Sequence, residues 1–219
     1  MRHFFTLFAA FLSVSLLAIG AAYIDSKTRP NHNEEHIWHA TLQRLGEFGR
    51  IKHHQCCRYE RYAEHALQHQ MPEAAKLFSA MAFAEEVKYE NCKDAIGILG
   101  GVFDPPIDLP VKTASVEEHF QTIINEKQRY HDTKVRECIE GAIDEGNRFV
   151  ARMMTWCDAS DVKAILIIQR TLCQMEQPEG VATLGYRVCP RCGNIDDEAL
   201  HSLYCPHCMT QQSDFLIFE

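Results

Sequence analysis

Cys189-Pro-Arg-Cys192-Gly193, followed after a twelve-residue gap (193–204) by Cys205-Pro-His-Cys208, is the stretch on which the rest of the chain can be read. Each C-x-x-C pair lets one tight turn aim two thiolates at a single ion. Two such turns facing one another make a closed tetrahedral four-thiolate site, suited to zinc or to one iron. Pro190 and Pro206 stiffen the turns, and Gly193 permits the left-handed backbone that leads the chain away from the metal. Two disulfides or a dithiol redox motif are the competing readings of the same cysteines, and two pairs at this spacing favour the metal. A segment this short cannot fold on an apolar core alone, so metal binding supplies much of its folding free energy.

Upstream lies enough chain for one moderate globular domain. The 219 residues are 46% apolar and 24% charged, and the formal net charge of −8, with no basic stripe, argues against a nucleic-acid partner. The N-terminus differs from the remainder. Met1-Arg2-His3 precedes an uncharged run from Phe4 to Ala22 that closes on Gly20, Ala21 and Ala22. This is the pattern of an export signal over residues 1–22, and its length also suits an uncleaved membrane anchor. Either reading places the bulk of the chain outside the cytoplasm. There, six further cysteines (Cys56, Cys57, Cys92, Cys138, Cys157, Cys173) can be disulfides or buried free thiols.

Residues 23–32 are polar, contain Pro30 and read as a linker. Asn33-Glu34-Glu35 then opens a helical pattern, with Leu42, Leu45, Phe48, Tyr59, Tyr62 and Ala66 among the residues at three- and four-residue intervals, running to about Gln70. Pro72 restarts the chain as a second helix that stops at Gly100-Gly101. The run 102–114 holds three prolines and reads as a crossover loop. Ser115 and Glu118 form a capping box that starts a third helix reaching about Asp144, before Glu145-Gly146. A fourth helix spans Asn147 to about Glu176. Two hairpins joined by a long crossover make residues 33–178 an all-α four-helix bundle of ferritin-like connectivity. A small metal domain, 185–219, follows.

A helical bundle followed by C-x2-C-x12-C-x2-C resembles rubrerythrin, over nearly all of residues 33–219. That resemblance implies a ferritin-like bundle built for two irons, a rubredoxin-like C-terminal domain and peroxide reduction. The tail YRVCPRCGNIDDEALHSLYCPHCMTQQSDFLIFE is similar throughout, with Met209 standing where the second knuckle normally has glycine. The bundle departs further. Arg58-Tyr59 matches the family's R-Y signal and sets a gap-free register through the second helix, where the family's metal ligands fall on Lys52 and on Glu85 and Lys88. On the third helix Glu126 matches the first acid of an E-x-x-E pair whose second is Arg129, and counting from Gly146 the fourth-helix pair falls on Asp161 and Ala164. Lysine and arginine are poor ligands that repel a cation, so this pattern predicts a degenerate di-iron site in which Lys52, Lys88 and Arg129 pair with Glu85, Glu126 and Asp161. Charges on the solvent face of the helices are the simpler alternative.

Three functions remain open at this point. One is a divergent rubrerythrin-like metalloprotein, exported or anchored, with one iron or zinc at Cys189, Cys192, Cys205 and Cys208 and an electron-transfer or binding role. Another is an active peroxide reductase. The third is a helical scaffold capped by a zinc ribbon, without redox chemistry. The resemblance also implies a homodimer, with a swapped arrangement through 102–114, and a redox partner protein.

Overall fold

The computed structural model describes residues 37–104, 107, 110–112, 114–176, 185–197 and 202–219. The proposed signal or anchor, the linker and the Asn33-Glu34-Glu35 start lie outside the described residues. Among those described, no helix is long and apolar enough to cross a membrane.

The helices are α1 (His39–Gln68), α2 (Pro72–Ile98), α3 (Val116–Tyr130), α4 (Arg136–Asp144) and α5 (Arg148–Glu176), with one π turn, His131–Val135, joining α3 to α4. The third helix expected from the sequence is therefore interrupted by a π turn. Its start is as expected: Ser115 Oγ accepts from Glu118 N, and Glu118 returns a carboxylate oxygen to Ser115 N. Gly146 supplies the left-handed turn (φ 75°) before α5. Asn147 caps that helix, its Oδ1 accepting from Val150 N. The carboxylate of Glu145 caps a different helix, accepting from Ala40 N and Thr41 N at the start of α1. Phe103, at the head of the crossover run, packs against the ring of Tyr89 and over the Cα of Gly49.

The buried apolar residues fall into two clusters stacked along the bundle. One gathers Tyr59, Tyr62, Leu77, Phe78, Met81, Phe120, Ile123 and Ile168. The other gathers Leu45, Phe48, Cys92, Ile96, Val135, Val150, Met154 and Cys157. On every long helix, one or two buried charged residues separate the two sets: Lys52 on α1, Glu85 and Lys88 on α2, Lys127 on α3 and Asp161 on α5.

The C-terminal segment is a small antiparallel sheet of order β2-β1-β3, with β1 Tyr186–Val188, β2 Ile195–Asp197 and β3 Leu216–Phe218. Val188 stands opposite both Ile195 and Leu216. This sheet is joined to the bundle, for Tyr186, Val188 and Ile195 belong to the first apolar cluster. Lys163 and Arg170 of α5 reach across to Asp196 (2.6 Å) and Asp197 (2.5 Å).

Candidate metal centre

The two knuckles are built alike. Gly193 N donates to Cys189 O (2.9 Å) and Met209 N to Cys205 O (3.1 Å), and both residues hold a left-handed backbone, φ 71° and 63°. Glycine adopts that conformation freely, whereas Met209 adopts it at a cost of about 1–2 kcal/mol. The four sulfurs lie within 4.8 Å of one another. The contacts Cys189–Cys208 and Cys192–Cys205 are each 3.5 Å. That is far outside the S–S bond of about 2.05 Å. It is close to the roughly 3.8 Å edge of a tetrahedron with metal–sulfur bonds of about 2.3 Å. The donor set therefore fits one tetrahedral ion, and the disulfide reading of these cysteines is set aside. Hydrogen bonds from the Cys192 and Cys205 thiols, and then from backbone N–H groups, hold Cys189 well below the ordinary thiol range. The hydrogen bond to Cys189, together with burial, raises Cys205 to about 11. A bound cation would draw all four into the thiolate form.

This centre sits directly on the bundle. Ser160 Oγ of α5 donates to Gly193 O (2.8 Å), and Asn91 Nδ2 of α2 donates to Arg191 O (2.9 Å). A Cβ added to Gly193 would lie 2.5 Å from Ala84 O and 3.1 Å from Lys88 Cγ. The first knuckle thus rests against the helix that carries Glu85 and Lys88.

Beneath it is the charged layer. Lys88 Nζ reaches Glu85 Oε1 (3.1 Å) and Asp161 Oδ1 (2.6 Å), and Lys127 Nζ reaches the same two oxygens at 2.7 Å each. Lys52 Nζ lies 2.8 Å from Glu85 Oε2 and 2.5 Å from Asp161 Oδ2, and donates to Gln55 Oε1 (3.2 Å). Each ammonium consequently bridges both carboxylates. All five side chains are at most 6% exposed. Three lysines against two carboxylates leave a formal surplus of one positive charge. Burial and Asp161 push the Glu85 pKa up, but Lys127, Lys52 and Lys88 outweigh them and bring it down to about 2. Asp161 is likewise held well below its usual range: burial opposes ionisation, and Lys127, Lys52 and Lys88 overcome it. Burial alone would lower the pKa of Lys52 and Lys88, and the two carboxylates reverse that to a net rise. Beside the layer, Tyr59 is fully buried with its hydroxyl unpartnered.

Of the bundle positions singled out from sequence, the structure brings Lys52, Glu85, Lys88 and Asp161 together, and on α3 it places Lys127 in the layer instead of Glu126 or Arg129. Arg129 is exposed, its guanidinium beside the ring of Tyr130. Glu126 is turned aside into a paired contact with Arg58 of α1, through Arg58 Nη1 (2.9 Å) and a second contact to Nη2. The buried cation of α3 is Lys127. Val116, Phe120, Ile123 and Lys127 recur at intervals of four, three and four along the buried face, a spacing that marks Lys127 as inward-facing from sequence. Ala164 is buried in the first apolar cluster, one turn beyond Asp161.

All ten cysteines are unbridged. Burial raises the Cys138 and Cys157 thiols to about 12 and 11, and Cys92 well above the ordinary thiol range. Cys173 is exposed and Cys57 half-buried, which corrects the buried reading for those two.

No family model matches the sequence, and no curated protein does. Solved structures do match in fold. Nigerythrin, a rubrerythrin family member, superposes in its fully reduced, all-ferrous state with a TM-score of 0.71 at 19% identity, over 82% of this chain and 87% of that one. Its mixed-valence state gives 0.70. The bacterioferritin BfrA of Mycobacterium tuberculosis gives 0.58 at 16% identity, over 64% of this chain and 88% of its own. The fold is therefore a ferritin-like bundle carrying a rubredoxin-like four-cysteine element.

Proposed function

We propose that this is a rubrerythrin-like metalloprotein with one working metal, an iron at Cys189, Cys192, Cys205 and Cys208, that passes single electrons. Its bundle serves as a scaffold free of iron. The observation that carries this reading is the bridging of Glu85 and Asp161 by three lysines: ammonium groups neutralise the buried acids there, as metal cations do in a carboxylate cluster. A di-iron centre needs open carboxylate and imidazole donors, and here both carboxylates are already engaged by Nζ atoms 2.5–3.1 Å away. Peroxide reduction at the bundle is accordingly not part of the proposal. Export or anchoring through residues 4–22 belongs to it, on the strength of the uncharged N-terminal run. So do a homodimer and a redox partner.

A four-thiolate iron is coloured and changes spectrum on reduction, whereas zinc does neither. The test is a reductive titration of the full protein, purified from iron-replete cells, followed by visible absorption. Reversible bleaching of one thiolate-to-iron band is expected. Stoichiometric zinc with no chromophore would replace this reading with a zinc-capped scaffold.

A further inference from the structure

A cleft of about 270 Å³ opens where the first knuckle meets α2 and α5, and Cys192 forms part of its wall. Its apolar lining includes Ile98 and Phe149, 73% and 45% exposed, which leaves unusual apolar surface beside a metal-ligating thiol. Trp156 lines the cleft as well and packs against the cysteine cluster. Arg152 lies over the Trp156 ring, 5.3 Å from its centroid. Arg191, between the two cysteines of the knuckle, contributes the second guanidinium. Neither is paired with a carboxylate among the described residues, and both are exposed. Asp94 is the sole acid of the lining, so the cleft carries an excess of positive charge on a chain whose formal net charge is −8.

We propose that this cleft binds a small planar aromatic anion, of the sulfonated or carboxylated quinone class, its ring taking the place of the exposed Arg152 guanidinium over Trp156 and its acid group pairing with Arg152 and Arg191. The volume lies just below the usual range of about 300–1,000 Å³ for small-molecule sites, which suits a molecule of two or three fused rings. Guanidinium groups recognise a sulfonate or carboxylate through paired N–H donors, and an indole face accepts a flat ring. A ligand held there touches Cys192 directly and reaches the remaining sulfurs through Trp156. Its use as an electron partner rests on the function proposed above, while binding itself does not depend on which metal is present.

The test uses zinc-loaded full-length protein and anthraquinone-2-sulfonate, titrated by calorimetry and, in a Trp38→Phe background, by quenching of Trp156 fluorescence. Saturable binding at one site is expected, weakened at least tenfold in Arg152→Ala/Arg191→Ala and in raised salt, and weakened also for uncharged 2-(hydroxymethyl)anthraquinone. Both arginines are exposed, so the double variant should keep the native far-ultraviolet circular dichroism. Absence of saturable binding up to millimolar probe would overturn the proposal, as would undiminished affinity in the double variant. Because the zinc form is redox-silent, a failure here leaves the iron reading standing, and zinc in the native protein leaves this site standing.

Discussion

Replacing Asp161 with Asn is nearly isosteric and strikes the charged layer at a carboxylate that all three lysines reach. Asp161 accepts from Lys52, Lys88 and Lys127 at 2.5–2.7 Å. The wild-type layer carries three positive and two negative charges. Asp161→Asn leaves three against one, so the surplus grows from one charge to two in a space closed to water. Breaking a buried ion pair from one side costs about 3–5 kcal/mol, a large share of the 5–15 kcal/mol typical of a domain. At roughly 2–4 °C per kcal/mol for a chain of this size, the midpoint should fall by about 6–20 °C. Lys127→Met provides the contrast. It removes two hydrogen bonds but leaves two charges of each sign, and should cost less than Asp161→Asn. The acid limb offers an independent check. Both carboxylates have folded-state pKa values below their unfolded ones, so the unfolded chain binds more protons in that window. Their contribution is fully present above about pH 4.5 and is lost as pH falls towards 2. Asp161→Asn should flatten that limb by up to about 1.4 kcal/mol per pH unit. Urea unfolding at pH 7 and across pH 2–5 measures both effects. A loss under 1 kcal/mol with an unchanged acid limb would refute the ion-pair layer.

Cys205→Ser should unfold residues 185–219 while the bundle keeps its helical circular dichroism, because metal binding and folding of that segment are coupled; a mutant whose segment resists proteolysis as well as wild type would contradict this. Met209→Gly should stabilise the second knuckle by about 1 kcal/mol through release of the left-handed strain, whereas Gly193→Ala should displace the first knuckle from Ala84 O. Thermal unfolding of the two variants in opposite directions is the expected result. Lys52→Glu, Lys88→His, Lys127→Glu and Ala164→His together should give the bundle an iron affinity measurable by calorimetry. No uptake by that variant, folded as shown by circular dichroism, would argue that the layer does not sit where a di-iron site would.

How far the sequence could be read follows from where its register survives. Between Lys52 and Lys88 the chain is two helices joined by one tight break at Gln70 and Met71, so counting from Arg58-Tyr59 reaches Lys52, Glu85 and Lys88, which lie in the charged layer. The crossover run 102–114 destroys that count. Matching acids leads to Glu126 and Arg129, while the apolar spacing of Val116, Phe120 and Ile123 points to Lys127. A long amine in a buried stripe is easily dismissed as a solvated residue, and only the carboxylates facing it make it a core residue. The seat of the metal domain was not legible at all. Ser160 with Gly193, Lys163 with Asp196 and Arg170 with Asp197 are pairs between distant segments, with no local signature. The four cysteines were legible because a tetrahedral site imposes its spacing on the chain locally.

The most direct test counts metal atoms per chain in protein purified from iron-replete cells, beside the Cys189→Ser/Cys205→Ser variant. One metal per chain in the wild type and none in the variant is the predicted result. Three irons per chain in the wild type, with two retained by the variant, would place a metal pair in the bundle and contradict the account.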